Sequence, residues 1–117
     1  MIKQITVLTQ ENSGRPVVFE NVNGVGDVLA IHRTPIRNDG SDLEYQFTYT
    51  ITHVPTGKRM IVCRNLLQAK QVKEQLENLP IDWSLEDIDE LEKAALNTDY
   101  FEIYRANDVD YLDRMVW

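Results

Sequence analysis

Between Leu43 and Leu79 the hydrophobic period changes from two to that of a helix, and this switch sets the class of fold. In "LEYQFTYTITHV" Tyr45, Phe47, Tyr49 and Ile51 fall on one side, with Glu44, Gln46, Thr48, Thr50 and Thr52 on the other. That is the alternation of a β-strand. "PTG" turns the chain into a second strand, "KRMIVC". In the next stretch, "NLLQAKQVKEQLENL", Ala69, Val72, Leu76 and Leu79 recur at three- and four-residue spacing, so one helical stripe can dock on the sheet. Asn65 stands where an N-cap belongs.

The same reading extends to both ends. "IKQITVL" alternates, "PVVFENV" follows the turn-rich "ENSGR", and "NGVG" supplies two glycines for a reversal into "DVLAIHRTPI". Pro35 puts that strand at an edge or leaving the sheet. Downstream, Pro80 stops the first helix. Ser84 with Asp87 three residues later reads as a variant capping box that opens a second, with Leu85, Ile88, Leu91 and Ala95 as its apolar stripe. Residues 99–106 fit a strand or the start of a helix, and a helix is expected from about Asp108 onward. The expectation is one α+β domain. Its N-terminal half, residues 1–64, forms an antiparallel sheet of about five strands, covered on one face by two or three helices drawn from residues 65–117.

Composition narrows the function classes. Cys63 is the only cysteine and lies in an apolar run, which excludes a disulfide framework and a multi-cysteine zinc site. With no run of 18 apolar residues and no signal-like start, a soluble cytoplasmic protein is expected, away from membranes. "GVGDVL" has Leu29 where a dinucleotide fingerprint needs glycine, and "TGKRM" has Arg59 where a phosphate loop needs Ser or Thr. His32 and His53 lack partners at metal-ligand spacing, and the serines at 13, 41 and 84 fit turns or caps. No catalytic residue, metal, cofactor or small-molecule substrate is expected.

Charge is the informative remainder. Residues 1–79 hold nine Lys/Arg against eight Asp/Glu, whereas residues 80–117 hold three against eleven, a net of −8 out of −7 for the whole chain. Such asymmetry bears on partners. Acidic residues interleaved with aromatics make a candidate partner-binding surface within residues 82–113: Asp82, Trp83, Glu86, Asp87, Asp89, Glu90, Asp99, Tyr100, Glu102 and Tyr104. It would suit a basic groove that ordinarily receives nucleic acid.

Residues 27–79, three strands and a helix, and within them residues 43–79 with "TGKR" before "KQVKEQL", resemble the small three-stranded-sheet-plus-helix DNA-binding domain at the N-terminus of phage and transposon integrases. That resemblance implies nucleic-acid contacts by Arg33, Arg37, Lys58, Arg59 and Arg64. The chain departs from it in a nearly neutral sheet region and an appended acidic segment. The whole chain, small and acidic, also resembles the accessory proteins of phages and mobile elements, including inhibitors of host nucleic-acid-binding defence enzymes. The favoured expectation is therefore a non-enzymatic module that binds a basic nucleic-acid-handling protein. DNA binding through the sheet and self-association into a homodimer are the alternatives.

Overall fold

The computed structural model describes residues 4–8, 16–20, 28–36 and 44–109, with side chains over 28–34 and 48–109. It is α+β. Strands β1 (Gln4–Leu8) and β2 (Pro16–Glu20) pair with each other, and β3 (Leu29–Ile36), β4 (Glu44–His53) and β5 (Lys58–Cys63) form an antiparallel sheet in that order. Helices α1 (Leu66–Glu77), α2 (Ile88–Leu96) and α3 (Tyr100–Asn107) follow. Among the described residues, then, the strands make a two-stranded ladder and a three-stranded sheet, where a single sheet of about five was expected. The register of β3 shifts between Arg33 and Pro35, and a proline has no N–H to donate, which suits β3 to an edge.

All three helices cover one face of the sheet. Leu29 and Ile31 of β3, Ile51 of β4 and Ile61 and Cys63 of β5 meet Ala69, Val72 and Leu76 of α1, Leu91 and Ala95 of α2, and Tyr100 of α3. Each fully buried Leu or Ile contributes roughly 1.5–3 kcal/mol. The opposite face is buried too, against expectation: Ala30, His32, Thr34, Thr50, Thr52 and Val62 are all at most 4% exposed. Polar groups pair across that face. Thr52 Oγ1 lies 2.6 Å from His32 Nε2 and Thr34 Oγ1 2.8 Å from Thr50 Oγ1, so the alternation seen in β4 separates an apolar interior from a hydrogen-bonded one.

Local signals place the helix ends. The Asn65 side chain accepts the Gln68 N–H, as its position predicts. Helix α2 begins later than expected: Asp87 is its N-cap and accepts the Glu90 N–H, while Ser84 donates to Asp82 in the preceding turn. The ambiguous 99–106 stretch is helical from Tyr100. Asp108 ends α3 as its C-cap, and Val109 is helical again. The rest of the expected C-terminal helix lies outside the described residues.

What fixes α3 is the open edge of β5. Tyr100 donates its hydroxyl to the Met60 carbonyl at 2.8 Å, and the Asp108 carboxylate accepts the Val62 N–H at 2.9 Å. The Gln68 side-chain oxygen accepts the Arg64 N–H, and its amide donates to Asn107 at 3.3 Å. Side chains from α1 and α3 thus occupy groups with which another strand would pair. Asp108→Ala should lower stability by about 1–3 kcal/mol, the cost of orphaning a buried N–H. Asp108→Asn keeps an acceptor and should lose less. Urea denaturation at neutral pH measures both, and two wild-type curves would show that the carboxylate does not hold this edge.

Candidate functional site

The acidic segment folds into a turn, α2 and the start of α3. Asp82, Glu86, Asp87, Asp89, Glu90, Glu92, Asp99 and Glu102 are all exposed, with Lys93 the one cation among residues 82–102. Several do local work. Asp82 accepts from the Ser84 hydroxyl and N–H, which lower its pKa. Asp87 caps α2, and Asp89 and Glu90 sit in its first turn, where the helix dipole favours negative charge. Glu92 pairs with Lys58 of the hairpin at 3.1 Å.

The aromatic residues expected among the carboxylates divide. Trp83 is 8% exposed, donates its indole N–H to the Leu76 carbonyl, and lies with its ring 5.9 Å from that of His53. Tyr100 is 5% exposed and committed to Met60. Both hold the fold and are not presented with the carboxylates, because their polar atoms find partners in the interior. Tyr104 is half-buried.

Two apolar residues stand out: Leu96, 66% exposed, which sequence reasoning did not select, and Phe101, 38% exposed, an aromatic residue interleaved with the carboxylates. They flank an open cleft of about 640 Å³ lined also by Met60, Leu91, Ala95 and Tyr100, with Lys58, Arg59, Glu92 and Asp108 around them. The helical stripe of Ile88, Leu91 and Ala95 marks one wall, but the walls come from three separate elements, so spacing alone does not reveal the cleft.

Among the residues tied to nucleic-acid binding, Arg33 is half-buried on β3, Lys58 is paired with Glu92, and Arg59 and Arg64 are exposed on either end of β5. Arg37 lies outside the described residues. The C-terminal "YLDRMVW", residues 111–117, on which the expectation of self-association rests, lies outside them as well.

The two buried histidines are engaged at both ring nitrogens. His32 Nδ1 faces the Arg33 carbonyl at 2.9 Å, so that nitrogen carries the proton and Nε2 accepts from Thr52. His53 takes the other tautomer: Nε2 donates to the Trp83 carbonyl at 2.6 Å, and Nδ1 accepts from the Thr56 hydroxyl. Burial lowers the pKa of both histidines, of His32 to about 4, against smaller opposing effects of their carbonyl partners. Burial, with a smaller effect of the Asp108 carboxylate, pushes the Cys63 thiol up to about 12. A thiol of that kind is a poor nucleophile at neutral pH. Among the described residues no three His, Cys, Asp or Glu side chains group so as to hold a metal ion, and no helix is long and apolar enough to cross a membrane.

No family model, curated protein or solved structure matches the chain significantly. Fold and site together define it as an α+β domain with an acidic helical surface beside an apolar cleft.

The histidines give this domain a pH dependence of known sign. An unfolded His32 takes up its proton near 6.5 and the folded one near 4, so in that window the unfolded state binds more protons. Stability should therefore be complete above pH 6.5 and fall as pH drops towards 4, by on the order of 3 kcal/mol from His32. Urea melts across that range should be flatter for His32→Gln than for wild type. Equal slopes would mean that His32 titrates in the fold as it does in the open chain.

Proposed function

We propose that this chain is a non-enzymatic protein-binding module whose acidic surface, from Asp82 to Glu102, meets a basic nucleic-acid-handling protein and occupies its nucleic-acid groove. One observation carries the reading: eight exposed carboxylates stand against one lysine in this stretch, a net of −7. Local structure accounts for part of this charge, through the α2 dipole at Asp89 and Glu90 and the Glu92–Lys58 pair, but does not call for eight carboxylates. Ser, Thr or Asn would cap α2 as well as Asp87 does. Like charges on one helix face, such as Asp89 and Glu92 at i,i+3, cost a few tenths of a kcal/mol, roughly 0.2–0.5. A surface that keeps such repulsion has the field needed to steer a cationic partner. The module acts in the cytoplasm, in the manner of a phage or mobile-element inhibitor of a host defence protein.

The second reading, DNA binding through the sheet, has less to rest on. Burial of residues 29–32 and 50–53 on both faces leaves that part of the sheet no open face to lay in a groove, and Lys58 is already paired. Arg59 and Arg64 remain its candidates.

Reversal of Glu86, Asp89, Glu90 and Asp99 together to Lys tests the first reading. Protein captured from nuclease-treated host-cell lysate, and eluted by a salt gradient, should be lost with the variant while its circular dichroism spectrum is unchanged. A folded variant that retains the same protein would refute the acidic-surface reading. If every captured protein disappears on nuclease treatment and the Arg59 and Arg64 to Ala variant releases the nucleic acid, the sheet becomes the interface.

A further inference from the structure

Resting on the acidic-surface reading and deepening it, we infer that the cleft between the β4–β5 hairpin, α2 and α3 receives the apolar stripe of a basic amphipathic helix of the partner protein. The cleft, about 640 Å³, has a buried floor of Met60, Leu91, Ala95 and Tyr100, each at most 5% exposed. Leu96 and Phe101 stand at its mouth. Single exposed apolar residues on a surface are ordinary. Here two of the large ones flank one concavity that already has an apolar base, and its volume falls within the usual range of binding clefts, roughly 300–1,000 Å³.

The backbone chemistry of the cleft selects a helix over an extended segment. An added strand needs free main-chain groups at a sheet edge. Met60, Tyr100 and Asp108 line this cleft, and there the Met60 carbonyl is taken by Tyr100 and the Val62 N–H by Asp108. The fitting occupant satisfies its own backbone and offers side chains at i and i+3 or i+4.

Charge selects its polar face. On the α2 wall Glu92 is paired with Lys58 of the hairpin, so the negative charge left beside the cleft is that of Asp89, one turn earlier on α2, and of Glu102, next to Phe101 on α3. The hairpin wall already carries Lys58 and Arg59. Basic residues of the occupant therefore lie towards the helices and away from the hairpin. A second copy of this chain, bringing its own acidic α2, would be repelled.

Selection of a display library of helix-forming peptides, about 20 residues long, on the intact protein tests the inference. Enriched sequences should pair two bulky apolar residues one helical turn apart with Lys or Arg beside them. A synthesised representative should lose about tenfold or more in affinity with Leu96→Ser or Phe101→Ser, a loss expected for an anchor contact. Leu96 is 66% exposed, so its variant should keep the melting temperature; Phe101 packs edge-on against Tyr100 at 5.1 Å, so the loss with Leu96→Ser is the one read at unchanged stability. The peptide should also shift the NMR resonances of Met60, Leu91 and Ala95 in wild-type protein. Basic peptides without apolar anchors, indifferent to both serine variants, would overturn the cleft and leave the acidic surface standing. Apolar peptides without basic residues, insensitive to Asp89→Lys and Glu90→Lys, would overturn the partner chemistry and the acidic-surface reading with it. Failure to enrich any peptide above an unrelated acidic control domain would overturn the inference.

Discussion

A three-stranded sheet has two edges, and the way β5 is closed decides the arrangement of everything after it. Its outward Met60 carbonyl and its Val62 and Arg64 N–H groups are met by Tyr100, Asp108 and Gln68. Tyr100 opens α3 and Asp108 ends it, so a short helix with little propensity of its own is tied at both ends to the strand beneath. Placing α3 also places α2, since the two pack on the same core and are joined by a short turn. The acidic surface and the cleft follow from that arrangement.

The sheet separates two kinds of interior. One face relies on non-directional apolar burial against the helices. The other uses hydrogen bonds of defined geometry, with His32 held to Thr52 and Thr34 to Thr50. Such pairs fix register, because a slip of one residue would strand these polar atoms away from their partners. His32 serves this purpose; His53, in the opposite tautomer, bonds Thr56 and the Trp83 carbonyl instead, and neither ring keeps a nitrogen free for chemistry.

Much of this was legible in the sequence, and the limit has a physical reason. Strands β3, β4 and β5, the hairpin at Pro55 to Gly57 and the Asn65 cap are encoded by period and turn chemistry, which act over a few residues. Gly57, at φ 72°, is a position where the absence of a Cβ is needed. The fate of "DYFEIYRA" was not legible. Its aromatic residues suit a strand or a helix, and the deciding contacts join residues 40 and 46 positions apart. The same holds for Trp83 and Tyr100, whose presence among carboxylates resembles a binding surface until the partners of their polar atoms are known. Leu96 escaped notice because it lies off the stripe of Ile88, Leu91 and Ala95.

The contact between His53 and Trp83 has a bearing on recognition. The imidazole grips the carbonyl of Trp83, and the indole grips the last turn of α1 through Leu76, so the connection leading into α2 is held from two sides. A flexible acidic segment would have to surrender its conformational freedom at the moment of binding. This one surrendered it during folding. Encounter with a partner should then resemble the docking of two preformed bodies, with affinity set by how well they match and little lost to ordering.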